Sequence, residues 1–284
     1  MFEVVSNDTL APSLHRLVVR APRIARARRA GQFVIVRADR GEERIPLTIG
    51  DADPAGGTIS LFIQAIGAST RRIVATPAGG ALRDVAGPLG QPTHIENFGR
   101  VACVGGGVGT AVLYPLAKAL AAAGNEVTSI IGGRSSQYII LADELAALSA
   151  ELLVTTEDGS QGRQGFVTAE LADLIAVPSR RPRLVLAVGP VPMMRAVAEL
   201  TRPHGIKTLV SLNPIMIDGT GMCGGCRVVV GGESKFACVD GPEFDGHQVD
   251  FAGLADRLTT YRGFEAEAHH AAGDCRLYKE AANG

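Results

Sequence analysis

The chain has 284 residues, 46% of them hydrophobic, enough to bury a full core and to build two domains or two domains with an appendage. Its 28 lysines and arginines nearly balance 29 aspartates and glutamates, so a net charge of −1 gives no electrostatic reason to expect nucleic acid. No apolar run reaches the ~18 residues of a bilayer span, and residues 1–5 lack a basic stretch followed by an apolar one, so neither a membrane span nor a secretory signal is expected and the expected location is cytoplasmic.

From residue 1 to 97, short β-rich runs at 2–6, 14–19, 33–37, 45–49 and 58–66 are separated by turn formers such as Pro54, Gly56 and Gly57, a spacing that predicts a small antiparallel barrel. Arg23, Arg26, Arg28 and Arg29 form a basic stretch, expected as a solvated loop or as a docking patch for an acidic partner. Two pieces of the barrel can carry chemistry. Arg44, Pro46, Leu47, Thr48 and Ile49 place a guanidinium just before a strand, and Gln64, Ile66, Gly67, Ser69 and Thr70 end a strand on a glycine and two hydroxyls. Bidentate charged donors and free N–H and O–H groups are what a diphosphate needs. An ordinary strand end with a serine cap fits the same residues. The run 87–92 reads as an extended exit from the barrel.

The pattern changes at Arg100. A buried-strand run at 101–104 leads into Gly105, Gly106, Gly107, Val108, Gly109 and Thr110, then into an Ala/Leu helix over 111–123. Strand, glycine loop and helix form the unit whose helix start receives a pyrophosphate. Further strands at 126–131, 151–155, 184–188 and 208–210 alternate with helices near 142–148, 169–175 and 193–201, so residues 98–212 are expected to form a doubly wound parallel sheet. Arg134, after the second strand, suits a 2′-phosphate or a strand cap. Asp158, in the turn 156–160, and Gly189, Pro190 and Met193 lie where strands end, in the crevice that such sheets offer to ligands. A proline-started helix with core methionines is the plainer reading of the last group. No Ser/His/Asp or Cys/His arrangement points to hydrolysis.

Residues 213–250 carry the densest motif. Asp218, Cys223, Cys226 and Cys238 are spaced Asp-x4-Cys-x2-Cys-x11-Cys, the plant-type [2Fe-2S] spacing with its first thiolate replaced by a carboxylate. Glycines 219, 221, 224 and 225 let amide groups turn toward cluster sulfurs. A zinc site of three cysteines and an aspartate, or buried unliganded cysteines, are the other readings of this loop. A hairpin with a Gly231-Gly232 turn is expected to bring Cys238 back to Cys226. Of the other two cysteines, Cys103 reads as a buried small hydrophobe and Cys275 as a surface thiol. Residues 251–284 read as a helical tail anchored by Tyr261, Phe264 and Tyr278.

Taken together, the runs 44–49, 64–70, 105–110, 189–194, 218–228 and 238–244 resemble the ferredoxin–NADP reductase superfamily. The resemblance is to the branch holding the electron-transfer subunit of dihydroorotate dehydrogenase B and the small subunit of NADH-dependent ferredoxin:NADP oxidoreductase (Nfn). It implies FAD on the barrel, with Thr48 beside the flavin N5, NAD(H) or NADP(H) on the sheet, and a [2Fe-2S] cluster in the C-terminal lobe. It also implies a larger, glutamate-synthase-like flavin/iron–sulfur partner subunit, and ferredoxin as a further partner. Electrons would then run between NAD(P)H, flavin, cluster and partner. Aspartate in the first ligand place is similar to the Nfn branch, whereas the dihydroorotate branch is expected to have cysteine there. Arg44 lies four residues before Thr48, one more than in the usual flavin pattern of the superfamily. A subunit of dihydroorotate dehydrogenase B and a non-enzymatic redox-sensing subunit are the alternatives. The intact glycine loop argues against the second, since a sensor needs no nicotinamide site.

Overall fold

The structure is a computed structural model that describes residues 1–260 and Gly263. The expectations for Tyr261, Phe264, Cys275 and Tyr278, and for most of the tail, lie outside the described residues.

The first half is a seven-stranded antiparallel sheet rolled toward closure. Its strands are β1 (Phe2–Ala11), β2 (Leu14–Arg20), β3 (Phe33–Arg37), β4 (Ile45–Asp53), β5 (Thr58–Gln64), β6 (Ala81–Leu82) and β7 (Asp84–Leu89). Two short helices interrupt them, α1 (Pro22–Ala27) and α2 (Ala68–Val74). The spatial order β6-β1-β2-β5-β4-β3-β7 puts β6 and β7 at opposite edges, yet only Arg83 separates them in the chain. That single residue draws the edges together, and closure removes the unpaired edge of an open sheet. Alternation fills the inside: Leu17 and Val19 of β2 and Ile59, Leu61 and Ile63 of β5 are all fully buried. The predicted exit at 87–92 is half strand, since β7 runs to Leu89. The basic stretch is not simply a solvated loop either. Arg23 and Arg26 ride on α1, while Arg28 is mostly buried and pairs with Asp51 of β4 at 3.6 Å.

The second sheet follows the predicted alternation. It contains β8 (Arg100–Gly106), α3 (Gly109–Ala122), β9 (Glu126–Gly133), α4 (Ala142–Leu148), β10 (Glu151–Thr156), β11 (Arg163–Gln164), α5 (Val167–Ala176), β12 (Leu184–Val188), α6 (Val191–Thr201) and β13 (Lys207–Ser211). Its order is β11-β10-β9-β8-β12-β13, all parallel. Order reverses between β8 and β12, and a ligand crevice opens at such a switch point beyond the carboxyl ends of the strands. Every residue of β12 is buried, as expected of a central parallel strand covered on both faces. Leu113, Leu116 and Leu120 of α3 pack on one face, and Leu171 of α5 with Val197 of α6 on the other.

After β13 the chain forms the cysteine loop, then β14 (Arg227–Val230), β15 (Glu233–Phe236), the single turn α7 (Ala237–Asp240), β16 (Glu243–Asp245) and α8 (Phe251–Thr259). The hairpin turns on Gly231 and Gly232, both at positive φ, as expected. Ala237, expected at the end of the hairpin, instead begins α7. Sequence alone did not show that β16 joins the second sheet, antiparallel to β13, with Ser211 opposite Glu243. Three residues carry no periodic signal strong enough to announce a strand. Through β16 the lobe shares one apolar core with the sheet, in which Cys226, Val228, Cys238 and Phe244 lie with Val185 and Val210. Among the described residues no helix is long and apolar enough to cross a membrane.

All three bodies meet at Glu243. A Cβ on Gly31 would fall 2.1 Å from Thr93 Oγ1 and 2.9 Å from Glu243 Oε2, so the turn before β3 must be bare to admit the carboxyl. Burial pushes Glu243 up to about 7, against the pull of the Thr93 and Ser211 hydroxyls. A raised acid binds its proton more tightly in the folded chain, so its stabilisation is complete below pH 4.5 and is lost as pH rises to about 7. Relative to wild type, Glu243→Gln should therefore gain roughly 3 kcal/mol across that interval. Urea denaturation at the two ends of the interval reads the difference, and parallel pH profiles for both proteins would count against the raised acid.

Candidate functional site

A crevice of about 850 Å³ lies between barrel and sheet at the switch point. Pro46, Leu47, Thr48, Gln64, Ile66 and Thr70 line it from the barrel. Gly106, Gly107, Val108 and Gly109 line it from the sheet, with Arg134, Gly189 and Pro190. Alternation along β4 explains the first group: Ile49 turns into the barrel, 1% exposed, so Thr48 faces out. The glycine loop is fixed from beneath. Gly107 N–H donates to Gly132 O at 2.8 Å, and a Cβ on Gly106 or Gly189 would lie 2.5 Å from Met193 Sδ or 2.7 Å from Met193 Cε. Met193 is thus the floor under both glycine loops. Gly109, where α3 starts, passes so near β12 that a Cβ would sit 2.4 Å from Val188 O.

Other expected residues are not on the crevice. Arg44 is exposed outside it. Ser69, 8% exposed, donates its hydroxyl to Glu43, and the Gly67 N–H donates to Thr70 Oγ1 at 3.0 Å as a cap of α2. Gly105 and Thr110 are buried against each other under the loop. Asp158 is exposed and holds its own turn, accepting from Ser160 N–H at 3.0 Å and Ser160 O–H at 2.6 Å. The Ser160 hydroxyl holds its titration below the usual carboxylate range. Sequence reading missed the turn Pro12–Ser13, Phe33, Phe62, Tyr138, and the segment from Ser211 to Met216 with Pro242.

The cysteine loop presents its donors as two pairs. Asp218 accepts from Thr220 N–H at 2.9 Å and Cys223 N–H at 2.7 Å. Those amides, Thr220's first, keep its carboxyl ionised below the usual range. Cys226 and Cys238 lie 3.1 Å apart, sulfur to sulfur, both buried and both free thiols. Burial, then the Cys226 thiol, pushes Cys238 up to about 12. A thiol that reluctant ionises only when a metal displaces its proton. Amides already turn toward sulfur: Gly225 N–H to Cys223 Sγ at 3.4 Å and Cys238 N–H to Cys226 Sγ at 3.5 Å. Among the described residues no three His, Cys, Asp or Glu side chains close on one point as a single-ion site. A two-iron cluster asks for two ligands on each iron, and the donors stand two and two.

Loop and crevice are neighbours. Gly219, at φ +75°, lies on the barrel wall, where a Cβ would meet Leu89 Cδ1 at 2.8 Å and Ile35 Cγ1 at 2.9 Å. Met216 lines the crevice two residues before Asp218, and Pro242 lines it four residues after Cys238.

Comparison with known proteins agrees with this layout. Residues 103–199 match the oxidoreductase NAD-binding domain, and residues 213–250 the iron–sulfur cluster binding domain of dihydroorotate dehydrogenase B. A Thermotoga maritima protein named as a homologue of the dihydroorotate dehydrogenase B electron-transfer subunit is 45% identical over 260 residues, 92% of this chain and 91% of that protein. A probable subunit of the same name from Methanopyrus kandleri is 36% identical, over 75% of this chain and 78% of its own. A solved structure of NADH-dependent reduced ferredoxin-NADP oxidoreductase, described for flavin-based electron bifurcation, superposes with a TM-score of 0.90 at 43% identity, covering 95% of this chain and 97% of that one. By that identity and superposition along nearly its whole length, the chain belongs to the family of dihydroorotate dehydrogenase B electron-transfer subunits and their homologues, within the ferredoxin reductase-like superfamily.

Proposed function

We propose that this electron-transfer subunit relays electrons between NAD(P)H and a larger partner subunit, in the manner of ferredoxin:NADP oxidoreductase, with FAD in the crevice and a [2Fe-2S] cluster on the cysteine loop. The observation that carries it is adjacency: Met216 and Pro242, which flank the ligand loop on either side in the chain, are walls of the crevice itself. Flavin bound there would supply the step from a two-electron hydride donor to single electrons, and the cluster the onward single-electron step. Thr48 and Pro46, facing out of β4, with Gln64 and Thr70, would hold and orient the flavin. The glycine loop and the start of α3 offer amides to the pyrophosphate of the nicotinamide nucleotide, with Arg134 at its rim. Asp218 and Cys223 would serve one iron, Cys226 and Cys238 the other. Exposed Cys223 marks the side open to a partner, and a reducing, cytoplasmic setting suits ligand thiolates.

Protein purified without air should contain flavin, iron and sulfide, absorb beyond the flavin bands, and reduce artificial acceptors from NADH or NADPH with no partner present. A colourless chain that oxidises neither nucleotide ends this reading. Asp218 in place of a first cysteine favours that assembly over a pyrimidine enzyme. Copurification of dihydroorotate-oxidising activity would reverse the preference.

A further inference from the structure

The mechanism so far uses no titratable group besides the metal ligands, yet one carboxyl is enclosed against the crevice wall. Glu243 sits on β16 opposite Ser211, and Ser211 Oγ donates to Glu243 Oε1 at 3.3 Å. Ser211 and Pro242, its partner and its chain neighbour, both line the crevice. The other carboxylate oxygen rests on Gly31, as does the buried Thr93 hydroxyl, which pulls on the carboxyl's titration. A protonated carboxyl has a hydrogen to offer there; an ionised one does not.

The elements around Glu243 carry other charges. Arg28 is tied to Asp51 at 3.6 Å, and His94 to Glu96 at 3.1 Å. Asp240 accepts from Phe236 N–H at 2.7 Å, and Asp245 from His247 N–H at 2.9 Å. Arg29 and Lys207 stand on the same elements, Lys207 over the Phe98 ring at 5.3 Å. None of these charges acts on Glu243, whose titration is set by burial, Thr93, Ser211 and its own amide. The group is therefore free to respond to charge arriving in the crevice instead of being locked by a fixed neighbour.

We propose that Glu243 is a positioning residue for charge: acting through Ser211, it binds one proton when electrons enter the flavin crevice and releases it when they leave. The inference rests on the flavin-binding reading above. As NAD(P)H delivers two electrons with its hydride, one solvent proton forms an O–H bond on the Glu243 carboxylate. When the partner, a one-electron oxidant, has withdrawn both electrons, that O–H bond breaks and its proton, with the one the hydride brought, returns to solvent. Added negative charge nearby raises an acid's affinity for its proton, so uptake occurs above about pH 7, where the oxidised protein holds Glu243 ionised. Below that pH the group is protonated throughout and contributes no slope.

The test is spectroelectrochemical titration of the bound flavin across neutrality. Above pH 7 the wild-type midpoint should carry one more proton per two electrons than Glu243→Gln does, Glu243→Asp should restore part of the difference, and below pH 5 all three should run parallel. Reduced-minus-oxidised infrared spectra of the wild type should gain a carboxylic-acid C=O band above neutrality, which needs no variant to fold. Equal slopes in flavin-loaded wild type and Glu243→Gln, or no such band in the wild type, overturn this inference and leave the relay standing. A chain that binds no flavin overturns both.

Discussion

Cys226→Ala is expected to reduce bound iron and sulfide to background while flavin remains bound at wild-type stoichiometry. The thiol is 1% exposed, sits 3.1 Å from Cys238 and belongs to the core shared by lobe and sheet. In the proposed ligand set its loss would remove half of one iron's protein ligands. Disturbing even an outer partner of a metal ligand costs ~10–100-fold in affinity or activity, so losing the ligand itself should cut electron delivery to a one-electron acceptor by more than about 100-fold. NADH oxidation with a two-electron acceptor should persist, because Cys226 itself does not line the crevice. Cys103→Ala is the control: it is equally buried, in β8, and should leave iron content unchanged. Iron and sulfide analysis with electron paramagnetic resonance distinguishes the two variants, and full iron in Cys226→Ala would remove this residue from the ligand set.

Gly109→Ala should abolish tight nucleotide binding with both other cofactors retained. The new methyl group would be 2.4 Å from Val188 O and 2.8 Å from Gly189 Cα, both backbone atoms with no rotamer by which to retreat. Either α3 backs away from the sheet or the Gly189 loop moves, and the proposed nucleotide site is built from both. Overpacking of this kind costs about 1–3 kcal/mol of stability. If the same displacement is imposed on the bound nucleotide, affinity falls ~10–100-fold, at 1.4 kcal/mol per factor of ten. Fluorescence titration with NADH and with NADPH reads the loss, and wild-type affinity for both would place the pyrophosphate elsewhere.

Much of this layout was legible in the chain before any coordinates. The spacing from Asp218 to Cys238 named the cluster, and the run from Gly105 to Thr110 between a buried strand and an Ala/Leu helix located the switch point. Both are local signals, in which backbone geometry demands glycine or metal chemistry demands cysteine at fixed separation. Long-range pairing was not legible. β6 lies opposite Phe2, eighty residues away in the chain, and is two residues long; no periodicity announces so short a strand. β16 was hidden in the same way. The diphosphate turn was read one contact too simply: Ser69 is a free hydroxyl in the sequence and a donor to Glu43 in the fold. Arg44 looked like a phosphate fork because arginine before a strand has few other obvious uses, yet its side chain stands outside the crevice. The segment from Ser211 to Met216 offered no site residue to sequence reading and is a wall of the crevice.

The ligand-bearing arm is fastened to both halves of the molecule. β16 zips it to β13 through three residue pairs, and Gly219 lies flat on Ile35 and Leu89 of the barrel. It therefore straps one half of the molecule to the other across the mouth of the crevice. Any swing that widened that mouth for a departing nucleotide would have to peel the arm from one anchor. In the proposed relay, access for the nicotinamide and spacing between the two redox centres would thus depend on the same arm.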